Sequence, residues 1–198
     1  MKAAELLALY RAGRIDAAEV EARLRAMQMA APEPLALSEA QLGLWALQAA
    51  SPESAVYNVP LCFEVMDDGE RAVLPAAIGA LGRRWPILGG RVEIAGALPV
   101  LVPDADGVSI ETTGGRGMDP DQRYGWLRAR LRIPFSLEEG PLCRVHLLEG
   151  EDRTSVLMAV HHIAFDGASF ALVLSELRET VSALARGEPV ERGAADFE

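Results

Sequence analysis

Eight residues, Thr154-Ser-Val-Leu-Met-Ala-Val-His161, constrain this chain more than any others. A run this apolar and this short reads as a central strand covered on both faces. Such a strand needs partner strands beside it and helices over it, so the expected fold is α/β, an α+β sandwich with a mixed sheet covered by helices. The rest of the sequence supplies the pieces. Leu142 to Leu148 reads as a second strand. Tyr57, Val59, Leu61, Phe63 and Val65 alternate with Asn58, Pro60, Cys62 and Glu64, the period of a half-buried strand, and Pro60 places it at an edge. Short strands are expected around Val92, Val100 and Ile110, broken by Gly96, Asp104 and the Gly114-Gly115-Arg116-Gly117 loop. Ser38 caps a helix carrying Leu42, Trp45 and Leu47, and helical spacing joins Leu74, Ile78, Leu81 and Trp85 with Pro75 near the start and Pro86 past the end. Another helix opens at Asp119-Pro120 and runs to about Arg132. The last carries Phe170, Val173, Leu174, Leu177, Val181 and Leu184 and stops at Gly187.

The first thirty residues differ from the rest. Leu6, Leu7, Leu9 and Tyr10 form a short helical stripe ending at Gly13. Asp16 then starts a second helix, with Glu19 in capping-box spacing and Val20, Leu24 and Met27 on its face. Pro32 and Pro34 mark a linker. The expected organisation is a helical linker or docking segment over residues 1–30, a lobe over residues 35–187, and a tail over residues 188–198.

Composition narrows the functions. The 198 residues are 50% hydrophobic, enough for a real core and too apolar for general disorder. Nineteen basic residues against twenty-nine acidic give 19 − 29 = −10, which repels phosphate backbones and anionic membranes, so neither nucleic acid nor membrane is an expected partner. The single lysine, Lys2, leaves no P-loop. Cys62 and Cys143, far apart and in no paired motif, read as small buried hydrophobes in a reduced cytoplasm. No apolar run is long enough to span a bilayer, and Glu5 interrupts any signal-peptide core, so a cytosolic location is expected.

Chemistry concentrates at His161-His162-Ile163-Ala164-Phe165-Asp166-Gly167. Strand alternation puts His161 and His162 on opposite faces, so only one of them can face a given cleft. Asp166 stands where a carboxylate caps the final helix, and Gly167 permits a tight turn beside His162. A strand-end histidine near a helix N-terminus can serve acyl transfer as a general base beside oxyanion donors. The same residues also fit a plainer description, satisfied histidines and a helix cap. A metal site joining His146 to His162 and Asp166 matches no ligand spacing, so no metal is expected. Gly167-Ala168-Ser169-Phe170-Ala171 lacks the last glycine of a nucleophile elbow.

The His161–Gly167 run resembles the HHxxxDG signature of condensation domains from nonribosomal peptide synthetases, in the chloramphenicol-acetyltransferase-like superfamily. Ser38-Glu-Ala-Gln-Leu-Gly-Leu-Trp45 resembles that family's opening SxAQxxLW motif, followed by Tyr57-Asn58-Val59-Pro60. Arg84-Trp85-Pro86-Ile87-Leu88-Gly89-Gly90-Arg91 is similar to a degenerate RHxxLRT, with Trp85 in place of the histidine and Gly89 in place of the later arginine. Ile133 to Leu137 and Gly140-Pro141-Leu142 are similar to the PFDL…GPL stretch.

The resemblance covers about residues 35–187 and implies the N-terminal lobe of a two-lobed domain, its second lobe lying on a longer polypeptide. It implies amide formation between a donor acyl or peptidyl thioester and an acceptor aminoacyl thioester, each on the phosphopantetheine arm of a carrier domain, with no cofactor bound by this chain. His162 would face the tunnel and take or orient the amine proton, while His161 packs away. Asp166 would hold the shape through an ion pair from Arg84 or Arg91, and a backbone N–H near Gly167 would meet the oxyanion. Residues 1–30 would link, or dock, an upstream synthase module. A non-catalytic carrier-binding or scaffold lobe, or the lobe of an epimerisation domain, are the alternatives. Cyclisation is disfavoured, because His161 stands where relatives that cyclise carry an aspartate.

Overall fold

A computed structural model describes residues 9–10, 12, 14–20 and 33–190. The chain divides into two units, Met1–Pro32 and Glu33–Glu198. In the first, Leu9–Tyr10 and Ala17–Val20 are helical, and the Glu19 N–H donates to Asp16 Oδ1 at 2.7 Å. Leu6, Leu7, Gly13, Leu24 and Met27 of the expected helix pair, and the tail beyond residue 190, lie outside the described residues.

The second unit runs β1 (Leu35–Ala36), α1 (Glu39–Ala50), β2 (Asn58–Val65), α2 (Asp68–Arg84), a 3₁₀ turn (Pro86–Gly89), β3 (Arg91–Ala95), β4 (Leu98–Val102), β5 (Ser109–Gly114), α3 (Pro120–Leu131), β6 (Cys143–Glu149), β7 (Thr154–His161) and α4 (Gly167–Ala185). The larger sheet has the order β2-β7-β6-β5, with β5 parallel to β6 and the other pairs antiparallel. Every residue of β7 is buried, as its composition demands. Val156, Met158 and Val160 meet Leu74, Ile78 and Leu81 of α2 and Val173, Leu177 and Val181 of α4. On the opposite face Ala159 joins Phe135, Leu137 and Leu142, with Leu44 and Trp45 of α1 against them. Two cores therefore sandwich one strand.

The strands around Val92 and Val100 do not join that sheet. They form a hairpin through Gly96, whose φ of +68° suits glycine, and pair with β1 in a separate three-stranded sheet of order β1-β4-β3.

The edge position expected of Pro60 is explained by hydrogen-bond parity. The His162 N–H donates to the Tyr57 carbonyl at 2.9 Å, so odd-numbered residues of β2 bond β7 and even-numbered ones point away from the sheet. The N–H that proline lacks would have pointed away from the ladder.

Two expectations need correction. Pro75 is not at a helix start: Asp67 caps α2 by accepting the Glu70 N–H at 2.9 Å, and Pro75 sits two turns inside. It is tolerated there because it lies on the exposed side, where water can satisfy the carbonyl it strands. Cys62 is not buried. It belongs to the outward set of β2 and is exposed, whereas Cys143 on β6 is buried. Among the described residues no helix is long and apolar enough to cross a membrane.

Candidate active site

The site begins where β7 runs out between two neighbours. The His161 N–H donates to the Leu142 carbonyl at 2.9 Å, and the His162 N–H donates to Tyr57 on the other side. Alternation then sends the two imidazoles apart.

His161 is fully buried. Its Nδ1 accepts the Ile163 N–H at 3.1 Å, and its Nε2 lies 3.4 Å from Gln48 Oε1. Gln48 Nε2 donates to the carbonyls of Pro52, Ser54 and Phe135 at 3.2, 3.2 and 3.4 Å, which fixes the amide with its oxygen toward the histidine. His161 thus carries its proton on Nε2. Burial, reinforced by the neighbouring His162, pulls its pKa down to about 4, so the ring is neutral at neutral pH. The Phe135 ring meets it edge-on at 5.9 Å. Phe135 is itself held by the Arg144 guanidinium, 3.8 Å above its centroid, which also donates to Ile133 O at 2.6 Å.

His162 is exposed, and its Nδ1 lies 2.6 Å from the Phe165 carbonyl oxygen. A carbonyl only accepts, so Nδ1 bears the proton and Nε2 keeps an unshared lone pair. That is the tautomer a proton acceptor needs.

Asp166 caps α4. Its Oδ1 accepts the Ser169 N–H at 2.9 Å and the Ser169 hydroxyl at 2.7 Å, and these bonds hold the carboxyl below the usual aspartate range. Among the described residues no ion pair reaches it. The expected support from Arg84 or Arg91 is not formed. Arg84 Nε pairs with Glu176 Oε1 at 3.1 Å, and Arg91 pairs with Glu93. The departure at Trp85 explains the first of these. Its indole N–H also donates to Glu176, a nearly buried carboxylate on α4 that takes the cation, whereas exposed Asp166 is already satisfied by its cap.

Gly167 is the first residue of α4 and has no positive φ, so the tight turn expected of it is not what it provides. A Cβ there would meet nothing within 4 Å, and the turn is made by Ala164 N–H to His161 O and Phe165 N–H to His162 O. The glycine leaves open space at the helix N-terminus. His146 lies elsewhere, its Nδ1 2.9 Å from Glu111 Oε2. Among the described residues no three metal-ligating side chains gather. A groove of about 480 Å³, lined in part by Trp45, Gln48 and Phe135, lies behind His161 and not at His162.

Gln48 was legible only in part. Gln41, Trp45 and Gln48 recur at i, i+4 and i+7, which puts Gln48 on the same face as half-buried Trp45; its partner was not visible.

Residues 33–197 match the sequence model of the family described as Condensation domain. The chain belongs to the condensation-domain family. It is 33% identical over 167 residues to polyketide synthase PksN of Bacillus subtilis (strain 168), covering 81% of this chain, and 31% identical over 158 residues to malpinin synthetase of Mortierella alpina, covering 78%. It spans 3% of the length of the first of those relatives and 2% of the second. Against the crystal structure of the starter condensation domain of rhizomide synthetase the TM-score is 0.73 at 25% identity, covering 82% of this chain and 41% of that one. The first condensation domain of the calcium-dependent antibiotic synthetase, in complex with a substrate analogue, shares the fold at TM-score 0.69 and 23% identity, covering 82% and 41%. The matched residues include both histidines and α1, whose Gln48 meets His161.

Proposed function

We propose that this chain is the N-terminal lobe of a condensation domain in a cytoplasmic nonribosomal peptide or hybrid polyketide–peptide synthetase, and that His162 is its catalytic residue. The donor is an acyl or peptidyl thioester and the acceptor an aminoacyl thioester, each on the phosphopantetheine arm of a carrier domain. The acceptor nitrogen attacks the donor carbonyl carbon, forming the C–N bond. Its surplus proton passes to His162 Nε2. The carbonyl re-forms as the C–S bond breaks, and the departing thiolate takes up a proton. The observation that carries this reading is the Phe165 carbonyl bound to Nδ1–H, which leaves Nε2 as the acceptor and holds the ring in place.

His161 and Asp166 support geometry, not proton transfer: one is buried and neutral, the other caps a helix. Residues 1–30 are a linker or a docking element for an upstream module. Deleting residues 1–29 should weaken that association; unchanged binding would leave only the linker role.

The test is His162→Ala in the complete condensation domain that carries this chain. Product should fall by about 10²-fold or more, the usual scale of a general base, with thermal unfolding unchanged. Near-normal turnover would refute the catalytic role of His162; absence of amide product from the wild-type domain would favour a non-catalytic carrier-binding lobe, the reading supported by Arg84 serving Glu176 instead of Asp166. Inversion at the α-carbon of an aminoacyl thioester, with no amide formed, would assign an epimerisation domain.

A further inference from the structure

Gln41 uses the two ends of its amide for different purposes. Its Oε1 accepts the Ser38 N–H at 2.9 Å, and its own N–H donates to Ser38 Oγ at 3.3 Å, which completes the capping box of α1. A glutamate would serve that box equally well, and its charge would suit the helix N-terminus better. The other end of the amide explains the choice. Nε2 donates to the Ile163 carbonyl at 2.9 Å, and a carboxylate has no proton to donate there.

Ile163 is thereby held at both of its polar backbone groups. Its carbonyl is bound by Gln41 and its N–H by His161 Nδ1, while His161 in turn meets Gln48, two turns along the same face of α1. His162 lies between these fixed points. Its backbone N–H is tied to Tyr57, and its ring is held by Phe165, two residues past Ile163.

We propose that Gln41 is a positioning residue for His162: by holding the Ile163 carbonyl it sets the path of the loop that brings the Phe165 carbonyl to His162 Nδ1. This rests on His162 being the reacting histidine. Gln41→Glu separates the two jobs, because it keeps the capping box and removes the donor to Ile163.

Two measurements test it. In this chain, ¹⁵N shifts of the His162 ring report the fraction carrying the proton on Nδ1. In the complete domain, turnover is measured with the synthetase's own loaded carriers. Gln41→Glu should reduce the Nδ1–H fraction and lower kcat about tenfold with KM unchanged, since small displacements of a reacting group carry penalties of this order. Gln41→Met, which is neutral, should do the same to His162 if the carboxylate prevents folding. Wild-type ring shifts in the folded variants would overturn the proposal, and so would a wild-type kcat. A fall in kcat with the ring shifts unchanged would also overturn it, because Gln41 would then act through general stability. If His162→Ala itself keeps turnover, the functional reading fails, while the ring shifts still decide whether Gln41 holds the loop.

Discussion

His161 makes the lobe sensitive to acid in a way that can be isolated. The ring is buried, and its pKa in the fold is about 4 against an ordinary 6.5. A histidine held neutral by burial contributes stability that is complete above the ordinary pKa and is lost as pH falls through 6.5 toward 4. Between pH 7 and pH 5 the unfolded chain takes up most of a proton at this site while the folded chain takes up almost none. At 1.36 kcal/mol per pKa unit, that difference costs about 2 kcal/mol. His161→Asn provides the reference, since its amide oxygen can still accept the Ile163 N–H but does not titrate. Urea unfolding of both proteins at pH 7 and pH 5 should show the wild type losing about 2 kcal/mol more than the variant. His146, whose pKa burial also lowers, is common to both and cancels. Equal losses in the two proteins would refute the reasoning, as would an imidazole titration midpoint near 6.5 for His161.

Two further outcomes follow from the packing. Breaking a buried ion pair costs about 3–5 kcal/mol, but Arg84 is 32% exposed and water recovers part of that, so Glu176→Ala should cost about 2 kcal/mol. For a chain of this length that lowers Tm by about 4–8 °C; Glu176→Gln, which keeps an acceptor for the Trp85 indole, should cost less, and an unchanged Tm for the alanine variant would refute the pairing. A thiol reagent should modify one cysteine in the native protein, Cys62, and two after denaturation, since burial pushes the Cys143 pKa up to about 12. A native count of zero would contradict the placement of β2, and a count of two the burial of β6.

The elements that sequence reasoning placed well are those whose signal is local. The apolar run of β7, the alternation of β2 and the Asp119-Pro120 opening of α3 are each read from adjacent residues. The divergence of His161 and His162 is legible for the same reason, because a strand alternates whatever surrounds it. Pro75 misled because the first turns of α2 are polar and exposed, and apolar spacing says nothing about a helix there. The charge partners were out of reach. Arg84 and Glu176 are 92 residues apart, and their pairing depends on how α2 and α4 pack, not on any motif. Gln48 shows the boundary within one residue. Its burial could be inferred from helical spacing, but its bond to a histidine 113 residues away could not.

The stitching of β7 between two neighbours also sets an order for synthesis. Tyr57 leaves the ribosome 162 − 57 = 105 residues before the histidine it binds. At about 5–20 residues per second, β2 and α2 spend roughly 5–20 s without the strand that completes their core, with Val59, Leu61 and Phe63 unprotected. β6 and β7, separated only by residues 150–153, can close as a hairpin as soon as both have emerged. β2 can then add to that hairpin from the far side. Any holding factor or aggregation partner therefore has its opening before β7 appears, and the two histidines can take their places only once β7 has emerged.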